Sequence, residues 1–223
     1  MSKPSRLAVT ACLGILLGFA APVLAGQPEG DDDEDYLPRV EIMPFAGYRV
    51  GGEFDFEDGV GVTQSLDMGD DTSWGFDLGL YRDRSSFYEL LYSQQNAQVD
   101  TNGTSLGTFG LRTEYAHFGG TLLFPDQNWF VPYLSLTLGV TKFDPEDETL
   151  VSESELSMSL GGGVRLPINE HFAVSLGVRG YLTFMDSSSQ IFCVSSGGGA
   201  CLFRISASSF YQFEGQVGFV MTY

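Results

Sequence analysis

The chain has 223 residues, among them 28 Gly, 18 Phe, 10 Tyr and 2 Trp, and it carries 29 acidic against 11 basic side chains, a net charge of −18. That length suits a single domain, and a hydrophobic fraction of 43% excludes a wholly disordered chain. The acidity excludes nucleic-acid binding, which needs Lys and Arg against phosphates, and after the first 25 residues no apolar run reaches the roughly 18 residues of a spanning helix.

The chain opens with Lys3 and Arg6, then an apolar run from Leu7 to Ala21 that is too short to span a bilayer, then Val23-Leu24-Ala25. A basic start, a short apolar core and small residues at the end form a secretory signal peptide, residues 1–25, with cleavage expected before Gly26. The processed chain keeps 9 basic and 29 acidic side chains, a net charge of −20. Cys12 raises the alternative of a lipid-modified cysteine, but the apolar run continues well past it. Residues 26–36 form an acidic leader containing Asp31-Asp32-Asp33-Glu34-Asp35. Asp31, Asp33 and Asp35 fit the first ligand positions of a calcium loop, yet Tyr36 stands where that loop needs Gly and Ile42 where it needs Glu. The leader therefore reads as solvated, and no metal or cofactor is expected.

From residue 37 to residue 223 the pattern is all-β: strands of alternating parity separated by turn residues. The first predicted strand is Val40 to Val50, with Val40, Ile42, Pro44, Ala46, Tyr48 and Val50 on one face and an irregularity expected at Pro44, which lacks an N–H. Ser73 to Tyr81 and Phe87 to Gln95 follow, with Trp74, Phe76, Leu78 and Leu80, then Tyr88, Leu90 and Tyr92, on their apolar faces. The fourth is Phe109 to Leu123, where Leu111, Thr113, Tyr115 and His117 oppose Arg112, Glu114 and Ala116; the second set is assigned inward, leaving His117 outward. Phe130 to Lys142, Glu155 to Leu166 and Phe172 to Phe184 continue the alternation, and Tyr211 to Tyr223 completes eight strands. The connections alternate in length. Arg82 to Ser86, Pro125 to Asn128 and Pro167 to Glu170 are short, whereas Gly51 to Asp71, Asn96 to Thr108, Asp144 to Ser152 and Met185 to Ser209 are long and polar. Aromatics gather near the short turns (Tyr81, Tyr88, Phe124, Trp129, Phe172, Tyr223) and near the long loops (Tyr48, Trp74, Tyr92, Phe184, Tyr211), as two membrane interfaces select.

The last strand, Tyr211-Gln-Phe-Glu-Gly-Gln-Val-Gly-Phe-Val-Met-Thr-Tyr223, ends on an aromatic with apolar residues at alternate positions before it. In this it resembles the C-terminal assembly signal of bacterial outer-membrane β-barrels. With the signal peptide, the alternating strands and Tyr115-Ala-His-Phe-Gly-Gly-Thr-Leu-Leu-Phe-Pro125 running into a turn, the chain resembles the small eight-stranded barrels of the OmpA/OmpX-like superfamily. The resemblance implies an eight-stranded antiparallel transmembrane barrel, an up-and-down meander in the outer membrane, with both termini and the 26–36 leader periplasmic and the long loops extracellular. It implies that Phe219, Met221 and Tyr223 are read by the barrel-insertion machinery, that outer-membrane lipid and lipopolysaccharide are neighbours, and that the protein is a monomer. The expected role is structural or surface interaction through the loops, without catalysis. The alternatives are a lipid A-modifying enzyme and a narrow solute channel.

The inward face is predicted to hold Glu41, Arg49, Asp77, Glu89, Arg112, Glu114, Arg165, Arg179 and Glu214, helped by Met43, Phe45, Leu91, Phe118, Tyr133 and Tyr181. Eight strands leave a lumen that side chains fill, and buried charges must pair, so these residues read as an ion-pair network that plugs the barrel. Paired carboxylates also suit an active site, but the two signs nearly balance and are spread over most strands. Lipid A deacylases carry a His-x-Ser motif, and here His117-Phe118-Gly119 has Gly at the Ser position. His171 has no partner at metal-ligand spacing, and Gly161-Gly162-Gly163 lacks the Gly-Lys continuation of a phosphate loop. The acidic first loop (Glu53, Asp55, Glu57, Asp58, Asp67, Asp70, Asp71) reads either as a cation-bridged contact with lipopolysaccharide phosphates or as a solvated repulsive surface.

Cys193 and Cys201 flank Ser195-Ser196-Gly197-Gly198-Gly199 in the last long loop. In an exported chain two nearby cysteines read as one disulfide, which closes a short loop for about 2–3 kcal/mol; two free thiols are the alternative. Mass spectrometry of the membrane-extracted protein is expected to give a chain starting at Gly26 whose two cysteines alkylate only after reduction. Quantitative alkylation without reductant would mean free thiols.

Overall fold

A computed structural model of the chain describes residues 39–57, 63–100, 109–125, 129–146, 152–185, 204–205 and 209–223; for 53–57, 63–67, 100 and 204–205 the description covers the backbone alone. The chain divides into two compact units, Met1–Tyr36 and Leu37–Tyr223, and every described residue belongs to the second. Eleven strands form and no helix occurs among the described residues: β1 (Val40–Val50), β2 (Glu53–Glu57), β3 (Thr63–Met68), β4 (Asp71–Asp83), β5 (Ser86–Asp100), β6 (Phe109–Leu123), β7 (Val131–Pro145), β8 (Glu153–Pro167), β9 (Phe172–Phe184), β10 (Arg204–Ile205) and β11 (Ser209–Thr222).

Eight of them close into an all-antiparallel barrel. Each of β4 to β9 pairs with its neighbour in sequence, and β1 pairs with β4 on one side and β11 on the other. The seam runs from Glu41 opposite Thr222 to Val50 opposite Phe213. Val40 and Tyr223 finish it by exchanging both backbone hydrogen bonds, at 3.0 and 2.9 Å. The β1–β11 ladder skips Met43 and Pro44 and resumes in the same register at Phe45. The expected irregularity at Pro44 thus falls on the side where its missing N–H would have paired.

The two ends of the barrel differ. At one end the connections are tight and stapled by local side chains. Asp83 accepts hydrogen bonds from Ser85 N (2.8 Å) and Ser86 Oγ (2.6 Å), and Asn169 Oδ1 accepts from the backbone of His171 and Phe172 at 2.9 Å. At the other end the strands run on. β5 reaches Asp100 and β7 reaches Pro145, beyond their predicted ends at Gln95 and Lys142. The predicted loop Gly51 to Asp71 folds into a β2–β3 hairpin that extends the wall by pairing Met68 with Val99. Gly51 and Gly52 make the exit from β1 at φ of 82° and 115°, a backbone region that residues with a Cβ rarely enter.

Parity along each strand separates an apolar exterior from a polar interior. Val40, Trp74, Leu90, Leu136, Leu160, Val178 and Phe213 are exposed and their alternate neighbours exposed or half-buried, whereas most of the intervening positions are buried. The exposed aromatics Tyr88, Phe124, Trp129 and Tyr223 lie toward the turn end, and Tyr48, Trp74, Phe184 and Tyr211 toward the loop end. Tyr81, predicted in the turn-end girdle, instead faces the lumen and donates a 2.7 Å hydrogen bond to Glu41 Oε2. On β5, β6 and β7 the outward positions turn polar beyond Tyr92, Ala116 and Val140, with Gln94, Glu114 and Lys142 next in each strand.

Candidate functional site: the barrel lumen

The lumen holds four acids, Glu41, Asp77, Glu89 and Glu214, and three arginines, Arg49, Arg165 and Arg179, all buried. The alternation that presents Leu and Val to lipid places these charges inside, and they sort into three tiers. Near the turn end Arg165 Nη1 lies 2.7 Å from Glu41 Oε2, with its guanidinium 4.9 Å from the Phe87 ring and 5.4 Å from the Tyr133 ring. In the middle Arg179 Nη2 binds Glu89 Oε1 at 2.6 Å and stands 3.9 Å from Asp77, while Thr121 also donates to Glu89. Toward the loop end Arg49 pairs with Glu214 at 3.4 Å and donates to Ser93. There Tyr181 donates to Glu214 at 2.5 Å, Ser73 donates to the same carboxylate, and the Arg49 guanidinium lies 4.8 Å from the Tyr115 ring and 5.0 Å from that of Tyr181. Six of the seven charges therefore have an opposite partner plus hydroxyls or an aromatic face, the condition for burying them; Asp77 is the exception, with Arg179 at 3.9 Å and a buried Oδ1 that has no hydrogen-bond partner.

Small residues make the room. A Cβ on Gly47 would stand 2.7 Å from Ser73 Oγ and 2.8 Å from Glu214 Oε1, so any side chain there displaces the upper pair. Above that pair two amides bridge the lumen, Gln212 Nε2 reaching Gln95 Oε1 at 3.1 Å. Above them Met68, Ala97, Val99, Leu111, Phe143, Met185 and Phe210 pack into an apolar cluster that caps the loop end.

Seven of the nine predicted network residues are in the lumen; Arg112 and Glu114 are not. The parity of β6 is the reverse of that expected: Leu111, Thr113, Tyr115 and His117 are buried, while Arg112 is exposed and Phe118 is 61% exposed. Glu114 accepts from Tyr92 Oη at 2.7 Å and lies 3.8 Å from Lys142, and Arg112 reaches Asn96 at 3.3 Å, all on the outer wall near the loop end. The reason is physical: Ala116, Phe118 and Leu122 supply the lipid-facing belt on this strand, and Arg112 and Glu114 share their parity where the strand has left the apolar zone. Met43, Phe45, Leu91, Tyr133 and Tyr181 are inward as expected.

His117, expected outward, is buried. Its Nδ1 lies 3.0 Å from Thr137 Oγ1 and its Nε2 2.8 Å from Ser157 Oγ. Thr137 in turn meets Ser159 at 2.6 Å, and Ser159 accepts from Arg179 at 3.1 Å, so hydroxyls link the imidazole to the middle tier. A hydroxyl beside an imidazole is the beginning of a nucleophilic pair. Here Ser157 is fully buried and the far nitrogen faces Thr137 rather than a carboxylate. These hydroxyls and amides were not singled out in the sequence; the available signal was the apolar run Ala116, Phe118, Leu122 on the opposite parity. Among the described residues no group of three or more His, Cys, Asp or Glu could hold a metal. Phe219 is 41% and Tyr223 71% exposed on the last strand. Cys193 and Cys201 lie outside the described residues, as does the 26–36 leader.

An eight-stranded closed meander with an oily exterior and an ion-paired interior is a transmembrane β-barrel. The family model described as outer membrane protein beta-barrel domain matches residues 13–197, and the chain belongs to that family, whose place is the bacterial outer membrane. Solved structures of the same fold include the outer membrane protein OprG from Pseudomonas aeruginosa (TM-score 0.57, 15% identity, 83% of this chain and 96% of that one). Neisserial surface protein A is similar at TM-score 0.52 and 12% identity over 82% of this chain and 96% of that one. AlkL, solved in lipid bilayers, is similar at TM-score 0.53 and 14% identity over 89% and 95%. Identities this low speak to fold alone. No curated protein sequence matches the chain.

The tiers separate two groups of arginines that the sequence placed together. Arg179→Ala strands Glu89 in the lumen and is expected to destabilise the barrel by about 3–5 kcal/mol. Arg112→Ala removes an exposed side chain and is expected to change stability by less than about 0.5 kcal/mol. Urea unfolding of the two variants in the same vesicles measures the difference; equal losses would contradict the inward and outward assignments of these two residues.

Proposed function

We propose that the protein is a non-catalytic integral barrel of the outer membrane, closed to solutes, whose working surface is its loop end. The observation that carries this reading is the filled lumen. Three ion-pair tiers are stacked between the turn end and the amide bridge, and the apolar cluster of Phe143, Phe210, Val99 and Leu111 covers them. A hydrated pathway for solutes would have to break at least one pair and part that cluster. The rigid, crowded interior acts as a scaffold, and rigid scaffolds characteristically carry binding function on their loops.

The orientation belongs to the same proposal. Short turns stapled by Asp83 and Asn169 at one end and long connections at the other match periplasmic turns and extracellular loops. Both termini then lie in the periplasm, where the insertion machinery meets Phe219, Met221 and Tyr223, and a single copy suffices because closure leaves no sheet edge within the bilayer. The extended walls of β5 and β7, with the β2–β3 hairpin, stand proud of the membrane as a platform for contacts with lipopolysaccharide or with other cells.

Planar-bilayer recording of the purified protein is expected to show no steady conductance. Well-resolved steps from the unmutated protein would replace the closed scaffold with a channel. Comparison of lipid A mass spectra from cells with and without the gene is expected to show no difference; a lost or gained acyl chain would make the protein an enzyme.

A further inference from the structure

The charges of the lumen do not balance. Glu41, Asp77, Glu89 and Glu214 face Arg49, Arg165 and Arg179, and all seven are buried. The tiers at the turn end and the loop end are one-to-one pairs, Arg165 with Glu41 and Arg49 with Glu214. The surplus acid therefore lies in the middle tier, where one nitrogen of Arg179 meets two carboxyls, Glu89 at 2.6 Å and Asp77 at 3.9 Å. His117 does not make up the difference. Its two ring nitrogens lie against the hydroxyls of Thr137 and Ser157, an arrangement that suits the neutral ring, one nitrogen donating and the other accepting.

The two carboxyls are served unequally. Glu89 receives Arg179 on Oε1 and the Thr121 hydroxyl on Oε2. Asp77 is 4% exposed, its Oδ2 stands beyond hydrogen-bonding distance of Arg179, and its Oδ1 has no partner. The residues opposite it are apolar, Met43 on β1 and Leu91 on β5. The charged groups that act on Asp77 are Glu89 from β5, Arg179 from β9 and Arg165 from β8, and the last is committed to Glu41. Glu89 lies one inward step along β5 from Leu91, so the Asp77 and Glu89 carboxyls face each other. Two ionised carboxyls side by side in a water-poor site repel, and the second has no donor to offset its lost hydration. A carboxylic acid in that place needs no counter-charge and can donate to the carboxylate beside it.

From this we propose that the middle tier binds one proton at neutral pH, carried by Asp77 and shared with Glu89. With that proton the lumen balances, three carboxylates against three arginines. Asp77 becomes a hydrogen-bond donor, and Arg179 keeps Glu89 as its single full partner. The proton also makes the tier sensitive to pH, because its loss sets two carboxylates against one guanidinium. The two acids titrate as a pair.

Infrared spectroscopy of the full-length processed protein, folded in an ester-free detergent, tests the proposal. The wild type is expected to show the carbonyl stretch of a protonated carboxyl at neutral pH, shifted when the protein is refolded in D2O. Asp77→Asn is expected to lose that band. Glu89→Gln is expected to lose it too, since Asp77 then becomes the counter-charge of Arg179 and ionises. Gel mobility before and after heating confirms that each variant is folded. Stability supplies a second readout. The folded barrel holds a proton that the unfolded chain releases above the ordinary aspartate range, so raising the pH favours unfolding. Between about pH 5 and about pH 7 the folding equilibrium constant of the wild type is expected to fall about tenfold per pH unit relative to that of Asp77→Asn. A wild type without the band at neutral pH overturns the proposal. So does a band that survives in Asp77→Asn, which places the proton on another acid, or a pH dependence of stability identical in the two proteins.

Discussion

Hydrocarbon offers no hydrogen bonds, so every backbone N–H and C=O within the belt must find its partner in the protein. For strands this is possible only if the first meets the last. The β1–β11 seam is therefore the contact on which the other seven depend: it removes the two open edges at once. It also tolerates an interruption, at Met43 and Pro44, with pairing on the β4 side unbroken through Pro44 opposite Phe76. The exchange of hydrogen bonds between Val40 and Tyr223 ties the C-terminal residue to the start of the barrel.

Closure creates the second constraint. Once the apolar parity is given to lipid, the other parity has to fill a narrow tube, and a tube lined by alternate positions of polar strands cannot be filled by hydrocarbon alone. Charge is tolerated because it is compensated locally: Glu41 by Arg165, Glu89 and Asp77 by Arg179, Glu214 by Arg49. Arginine suits the task through its fork of donors and its flat face, which here lies over Tyr115 and Tyr181 at one level and Phe87 and Tyr133 at another. Glycines opposite these large groups, Gly47 above all, set the depth to which they can sink.

Most of this was legible in the sequence because both faces of a barrel strand have strong and opposite preferences. Seven of the nine inward charges and all eight barrel strands follow from parity alone. The failure on β6 shows where that logic stops. Arg112 and Glu114 look like lumen residues, but parity says only that they share a face with Ala116 and Phe118; the face is decided by which set lies within the belt. Charges on the lipid-facing parity are tolerated once the strand has left the hydrocarbon, and the sequence does not mark that exit. Tyr81 poses the same difficulty in reverse, since an aromatic beside a turn suits a girdle as well as a lumen partner for Glu41. The β2–β3 hairpin was hidden for another reason: its register comes from the adjoining β5 wall, which pairs Val99 with Met68.

The exit from the belt also explains why the loop end is built differently from the rest. Within the bilayer the barrel is inside-out, polar within and oily without. Beyond Tyr92, Ala116 and Val140 the outer face turns polar, with Lys142 held between Glu114 and Asp144 at 3.8 and 3.4 Å. Over the same stretch the interior changes to Val99, Leu111, Phe143 and Phe210. The same strands thus switch from membrane rules to those of a water-soluble protein within a few residues. That switch gives the upper wall a hydrophobic core of its own, which stiffens the platform from which the loops depart. It also places an apolar lid over the ion pairs, so packing shields the charges of the lumen from water on the loop side.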